Sequence, residues 1–374
     1  MRIVFVGSGT GGHFYPLIAI AEAVRAKDQA QGDSSDLYFL GPDPYNQSAL
    51  DNLGMKFVSV PAGKSRVGYG AILNFFDYFK TSWGTIVAFF KLLFIYPDVI
   101  MSKGGYTSVP VVVAGWLLRI PIMIHESDAV PGRANLLAAK LATYIGVAHE
   151  EAAKYFDASK VAVVGMPIRS SFFKTFSDSY NYLGIPKDRP VILVTGGSSG
   201  AERLNNFILA SLPRLVNQFT IIHQVGDKHV DKVSATASSL FEDKNTLNHY
   251  FVFGHLEQDA FSAALQSANL VISRAGSTTL FEIANVGKPA IVVPIPEDVS
   301  RDQRSNAYAY ARETGAVVLE EHNLSDDILV AEISRILGSE EVQTTMRQGA
   351  LSLTIKNAAN TLADALHNIG RKHE

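Results

Sequence analysis

Twice in this chain an apolar, strand-length run breaks into a glycine-rich turn that opens a helix: MRIVFVGSGTGGH at the N-terminus and PVILVTGGSSGAERLNN from Pro190. A strand of consecutive apolar residues has no polar face to give to water, so both of its faces must be covered. That restricts the chain to α/β layers in which parallel strands alternate with helices. The alternation runs nearly throughout. IVFV, DLYFL, KFVSV, DVIMS, IPIMI, TYIGVA and KVAVVG are separated by amphipathic segments such as Pro16 to Ala26. VILVTGG, FTIIHQVG, YFVFG, LVISRAG, PAIVVP and AVVLE repeat the pattern, and helical runs follow from about Asp326 to His367. Between the halves, Ser170 to Pro190 is polar and aromatic, with Gly184, Pro186 and Pro190, and reads as a linker. The expectation is an α/β protein of two Rossmann-like domains facing across a cleft, with ligands at the carboxyl ends of the strands.

Composition removes several classes of function. The chain has 374 residues, 47% of them hydrophobic and 18% charged, which excludes a disordered or fibrous protein. Thirty-three Lys and Arg against 36 Asp and Glu give a net charge of -3, so no nucleic-acid partner is expected. With no cysteine there is no disulfide, thiol nucleophile or Cys-ligated metal. The N-terminal apolar run is too short for a signal peptide, and the protein is expected to stay in the cytoplasm. Ile86 to Tyr96 and Val109 to Ile124, both interrupted by charge, fall short of the ~20 apolar residues of a spanning helix. Ile72 to Tyr96 nevertheless crowds Phe75, Phe76, Phe79, Trp83, Phe89, Phe90 and Phe94 around two cations, Lys80 and Lys91. It is either a helix packed on a sheet with aromatics to spare or a surface that dips into a lipid interface.

The motifs narrow the chemistry. Gly7, Gly9 and Gly12 satisfy the dinucleotide spacing, but DLYFLG closes the second strand without the acidic residue a nicotinamide cofactor needs, so no cofactor is expected. Gly63-Lys64-Ser65 lacks the first glycine of a P-loop, since Val58 stands there. No histidine pair at zincin spacing and no Asp-x-Asp occurs, so no metal site is expected. His13, directly after Gly11-Gly12, places an imidazole beside backbone N–H groups, where a packed cap competes with a proton-transfer role. Gly196-Gly197-Ser198-Ser199-Gly200 opens a helix that offers N–H groups to an anion, with a plain tight turn as the alternative. Ser273 to Thr279 leads from a strand into a helix carrying Glu282, which suits a phosphate and a ribose diol respectively.

Taken in order, GSGTGGHFYP, GGYTSVP, HESDAVPGRAN, VGMPIR, GGSSGA, HQVG, SRAGSTTLFEI and SRDQRSNA resemble the motifs of the MurG family. These are the UDP-N-acetylglucosamine:N-acetylmuramyl-(pentapeptide) pyrophosphoryl-undecaprenol N-acetylglucosaminyltransferases of peptidoglycan synthesis. The resemblance covers nearly the whole chain. It implies a type-B glycosyltransferase fold in which residues 1–168 take the lipid-linked acceptor, residues 169–349 bind UDP-GlcNAc, and a final helix (350–374) packs back on the first domain. It also implies residence at the cytoplasmic face of the plasma membrane, as a peripheral protein acting on undecaprenyl-pyrophosphoryl-MurNAc-pentapeptide (lipid I). Residue by residue, His13 and Glu126 are the implied catalytic pair. Arg169, Ser198, Arg274, Ser277, Thr278, Thr279, Glu282 and Gln303, with Thr10, Gly11, Gly12 and Asp128, are the implied substrate-binding set. Ser127, Asp128, Met166, Ser199 and Asp302 depart from the common family pattern. The implied reaction is an inverting single displacement, with His13 the first choice of base and Glu126 the reserve. A diacylglycerol glycosyltransferase, a UDP-GlcNAc 2-epimerase and a non-catalytic nucleotide-sugar-binding protein remain as alternatives.

Overall fold

A computed structural model describes residues 1–7, 9–64, 71–197, 200–297, 301–355 and 357–373. It divides into two compact units, Met1–Ser170 with Ile355–Glu374, and Ser171–Thr354. Both are layered α/β structures on a parallel sheet, as the strand runs predict.

The first unit runs β1 (Arg2–Val6), α1 (Gly11–Gln31), β2 (Asp36–Gly41), α2 (Gln47–Asn52), β3 (Lys56–Ser59), α3 (Ala71–Ile95), β4 (Val99–Ser102), α4 (Val109–Leu117), β5 (Ile122–Glu126), α5 (Arg133–Leu141), β6 (Tyr144–Val147), α6 (Glu150–Ala153) and β7 (Val161–Val163). The described strands lie in the order β3-β2-β1-β4-β5-β6-β7. Strand β1 shows why the apolar runs are continuous: Ile3 and Phe5 pack into one core cluster, Val4 and Val6 into another on the opposite face. Helix α1 begins at Gly11, not at Pro16 as its sequence suggests. Thr10 is extended and its carbonyl accepts from the His13 and Phe14 amides, so the two glycines fall in the first turn. Phe14, Leu17, Ile20 and Val24 bury on the sheet and hold that turn in place.

The second unit contains α7 (Ser179–Leu183), β8 (Val191–Thr195), α8 (Glu202–Leu215), β9 (Thr220–Gln224), α9 (Val230–Ser239), β10 (Tyr250–Phe253), α10 (Gln258–Ser267), β11 (Leu270–Ser273), α11 (Ser277–Asn285), β12 (Ala290–Val292), α12 (Arg301–Thr314), β13 (Val317–Val318), α13 (Asp326–Leu337) and α14 (Glu340–Leu353). Its order, β10-β9-β8-β11-β12-β13, repeats that of the first sheet around a central pair. The stretch read as a linker is folded onto this unit. Tyr180 donates to the Ser267 carbonyl (3.1 Å) and Gln266 Nε2 to that of Lys174 (2.7 Å). Helix α15 (Ala358–His373) then inserts Leu362, Ala363, Leu366 and Ile369 into the same cluster as Leu17 and Ile20 of the first unit.

No described helix is long and apolar enough to cross a membrane. Helix α3 is unusual in another way. Its buried positions, Gly84, Ala88 and Leu92, form a narrow stripe of mostly small residues, and a Cβ at Gly84 would run into the Pro61 carbonyl. The opposite side carries Phe79, Trp83, Ile86, Phe90, Leu93 and Phe94, all at least half exposed. At 3.6 residues per turn these lie within an arc of roughly 100°.

Candidate functional site

The order of the parallel strands reverses between two neighbours in each sheet, β1 and β4 in the first unit, β8 and β11 in the second, where open α/β sheets bind ligands. Several of the sequence-predicted residues, among them His13 after β1 and Ser277 after β11, follow these strands.

In the first unit, Thr10 Oγ1 lies 2.8 Å from Nδ1 of His13 in the opening turn of α1. The half-buried imidazole rests on the turn after β4: a Cβ at Gly105 would lie 3.5 Å from its Nε2. Gly104 and Gly105 have φ of +89° and +78°, which side-chain-bearing residues rarely adopt, so only glycines let the turn pass between His13 and Asn135. Burial first, and the Lys103 charge second, lower the His13 pKa to about 4, so its ring is neutral at physiological pH.

Glu126 closes β5, 2% exposed, with both oxygens engaged. Oε1 accepts from the Asp128 amide (2.9 Å); Oε2 accepts from Asn135 Nδ2 (2.9 Å) and the Gly132 amide (3.2 Å). The carboxylate thereby ties the 127–132 loop to the start of α5. Burial, and then the half-buried Asp128, raise its pKa to about 7, against the opposing pull of Lys103. Gly11 and Gly12 lie in the same opening turn of α1.

Two participants here escaped sequence reasoning. Lys103, 1% exposed, follows β4 directly, and its Nζ has no hydrogen-bond partner among the described residues. Burial lowers its pKa, with Glu126 and Asp128 pulling the other way. Its signal was a lysine abutting the wholly buried strand VIMS. Asn135 closes HESDAVPGRAN, where the sequence alone shows no chemistry for it.

In the second unit the turn after β8 is braced by Gln224, whose Nε2 donates to the Gly197 carbonyl (3.2 Å) and to Thr195 Oγ1 (3.3 Å). Ser198, and the departing Ser199, lie outside the described residues. Gly200, φ +73°, passes against the Val225 carbonyl where a Cβ would collide. Across the central strand pair, α11 starts at Ser277 behind Gly276, which offers no capping side chain. Ser277 is buried, Thr278 and Thr279 are half-buried, and Glu282 one turn on is 5% exposed. Gln303 Oε1 accepts from the Ile295 amide (3.3 Å), bracing the segment after β12.

The two arginines are placed less simply. Arg169 stacks over the Tyr15 ring (4.0 Å) within the first unit. Arg274 donates to Glu321 and, through Nη1, to the carbonyls of Val293 (3.1 Å) and Pro294 (3.4 Å), so most of its donors serve the fold. A cavity of about 200 Å³ lies alongside, lined by Pro294 to Glu297, Arg304 and Glu320 to His322. Among the described residues no cluster of three His, Cys, Asp or Glu could hold a metal ion.

Helix starts after glycine turns suit phosphate groups, the buried Glu282 suits a diol, and the neutral His13 can accept a proton. Comparison with known proteins identifies the family. The glycosyltransferase family 28 N-terminal domain matches residues 3–147 and the family 28 C-terminal domain residues 191–365. A Bacillus cereus UDP-N-acetylglucosamine–N-acetylmuramyl-(pentapeptide) pyrophosphoryl-undecaprenol N-acetylglucosamine transferase 2 is 32% identical, over 97% of this chain and 99% of its own. A Treponema denticola protein of that name, without the numeral, is 33% identical over 97% and 96%. Among solved structures, Acinetobacter baumannii MurG aligns with a TM-score of 0.74 at 25% identity, covering 98% of this chain and 99% of that one. A Neisseria meningitidis UDP-GlcNAc 2-epimerase bound to UDP-GlcNAc shares the fold alone, with a TM-score of 0.68 at 14% identity, covering 98% of this chain and 100% of that one.

Proposed function

The chain belongs to glycosyltransferase family 28, among its UDP-N-acetylglucosamine–N-acetylmuramyl-(pentapeptide) pyrophosphoryl-undecaprenol N-acetylglucosamine transferases, and from that membership we propose how its residues carry the reaction. The enzyme moves GlcNAc from UDP-GlcNAc to lipid I in peptidoglycan synthesis. The observation that carries this reading is identity above 30% along the full length of both chains, a range in which the epimerase likeness does not fall.

The second unit takes the donor. The starts of α8 and α11 direct N–H groups and a positive dipole end toward the diphosphate, Glu282 accepts from the ribose hydroxyls, and Gln303 and the 295–297 segment border the sugar. The first unit takes the acceptor around His13 and the Glu126-organised loop, with Thr10, Gly11, Gly12 and Asp128 beside it. The 4-hydroxyl oxygen of MurNAc attacks the anomeric carbon as the bond from that carbon to the UDP oxygen breaks. Configuration inverts, the hydroxyl proton passes to His13 Nε2, and the electron pair leaves with UDP. This requires the tautomer in which His13 Nδ1–H donates to Thr10 Oγ1. Glu126, with both oxygens already accepting, shapes the acceptor loop in this scheme.

The polyprenyl acceptor sits in a bilayer, and the exposed aromatic side of α3, with Lys80 and Lys91 exposed beside it, is the surface we assign to the membrane. The protein is then peripheral, at the cytoplasmic face. Incubation with labelled UDP-GlcNAc and a lipid I analogue tests the reading. Disaccharide-linked product with equimolar UDP is expected; ManNAc, a glycosylated diacylglycerol, or UDP without acceptor turnover would each replace it with one of the alternatives.

A further inference from the structure

The strand ends of the second unit hold a charge network, buried at Glu321 and Arg274 and exposed at Arg203, to which the donor scheme gives no role. Glu321, 8% exposed, follows β13 and faces two arginines. Its Oε1 accepts from Arg274 Nη2 and its Oε2 from Arg203 Nη1 (2.8 Å). Arg203 is the second residue of α8, the helix that follows Gly200 and Ala201. Arg274 lies in the turn that opens α11, and its Nη1 also holds the two carbonyls after β12. One carboxylate thus fastens the starts of both helices to the ends of β12 and β13.

A buried ion pair of this kind is a weak stabiliser, because desolvation offsets much of its attraction. What it supplies is geometry: the rigid guanidinium fork fixes direction as well as distance. Two helix starts facing one diphosphate need that control, since a displacement of about 1 Å at a binding group is enough to weaken it. Arg274 cannot both hold this frame and swing toward a phosphate.

We propose that Glu321 is a positioning residue for the nucleotide sugar. Through Arg203 and Arg274 it sets the two helix starts that receive the donor diphosphate, without touching the donor. The inference rests on the reading of the second unit as the UDP-GlcNAc site.

The test uses the full chain with Glu321→Gln, which keeps shape and volume but removes the charge, and Arg203→Met, which cuts the α8 arm and leaves the Arg274 arm in place. UDP affinity by calorimetry, the KM of each substrate, kcat and the thermal midpoint are read together. Glu321→Gln is expected to raise the UDP Kd and the UDP-GlcNAc KM about tenfold or more while the acceptor KM stays within twofold. Arg203→Met, whose side chain is 72% exposed, is expected to raise the same two constants by a smaller factor with an unchanged midpoint. Donor constants within twofold of wild type in Glu321→Gln overturn the proposal, even where the midpoint falls. Should that variant not fold, the same outcome in Arg203→Met overturns it. Wild-type protein that binds no UDP instead removes the donor-site reading, so the two failures are distinct.

Discussion

His13 and Glu126 belong to one unit, and burial moves both toward their neutral forms, which has opposite consequences for a base. A histidine with a pKa of about 4 is deprotonated across the physiological range, whereas a carboxyl near 7 is only part-ionised there. If His13 takes the acceptor proton, kcat/KM is flat from pH 6 to 8 as far as the base is concerned and falls only toward pH 4. If Glu126 takes it, the rate climbs through pH 7. A pH profile at low acceptor concentration separates them, and a rise centred near 7 would sink the assignment to His13. Mutation gives a second view. His13→Ala is expected to lower kcat by about 10²–10⁴-fold with UDP-GlcNAc affinity unchanged. Glu126→Gln, which disturbs the three hydrogen bonds of the loop, should chiefly raise the acceptor KM; the reverse pattern exchanges the roles. Glu282→Ala is expected to weaken the donor by about 1.5–3 kcal/mol, roughly 10- to 150-fold, the range of a hydrogen bond to a charged group. Titration with UDP-GlcNAc checks it, and an unchanged Kd takes Glu282 out of the site. The candidate residues were legible because glycine turns announce the strand ends. Lys103 and Glu321 were not, since their importance lies in burial, and an isolated lysine or a Glu-Glu pair in a sequence looks the same whether it faces solvent or core.

At the scale of elements, the strands were the most legible feature, because a strand buried on both faces must be continuously apolar. Helix starts were less so. Gly11-Gly12 disfavours helix by local propensity, and only the packing of Phe14 and Leu17 places it in the first turn of α1. The 170–190 stretch looked like a linker from its glycine and prolines, yet α7 lies against α10 through contacts distant in sequence. Helix α3 was legible as a helix, and its composition left two readings open. The small-residue stripe of Gly84 and Ala88 faces inward, so the aromatics are left outside instead of completing the core. Phe94 is 85% exposed and Phe79 68%. Such a surface favours a lipid interface over water, and truncating Phe79, Trp83 and Phe94 together to Ser should remove roughly 1 kcal/mol each, below the 1.5–3 kcal/mol of complete burial. Sedimentation with anionic vesicles is expected to show about a hundredfold weaker binding, while turnover of a water-soluble acceptor analogue stays at the wild-type rate. Undiminished vesicle binding would overturn the proposal that α3 meets the lipid.

The whole molecule repeats one plan in two units, and the repetition was readable because each begins with the same strand, glycine turn and helix. The return of α15 to the first unit is a tertiary fact carried by Leu362, Leu366 and Ile369, which local pattern alone identifies only as an amphipathic stripe. Both units also bury histidines. Burial lowers the pKa of His13 and His149 to about 4 and that of His125 well below its usual value in the first unit, and that of His223 to about 3 in the second. His367 on α15 shifts in the same direction. A histidine whose folded pKa is depressed contributes stability that is present above its unfolded pKa of about 6.5 and is lost as pH falls toward the folded value. Glu126 works the other way, since its raised pKa costs stability as pH rises from 4.5 to 7 and returns it on acidification. The histidines outnumber it. The unfolded chain therefore takes up more protons than the folded one below pH 6.5, and acidification destabilises the fold. Calorimetry at pH 7.5 and 5.5 is expected to show lower midpoints in acid, with the larger fall in the unit holding His13, His125 and His149. Midpoints equal or higher at pH 5.5 would mean that these rings are charged in the folded protein, and a neutral His13 waiting for the acceptor proton would be lost with them.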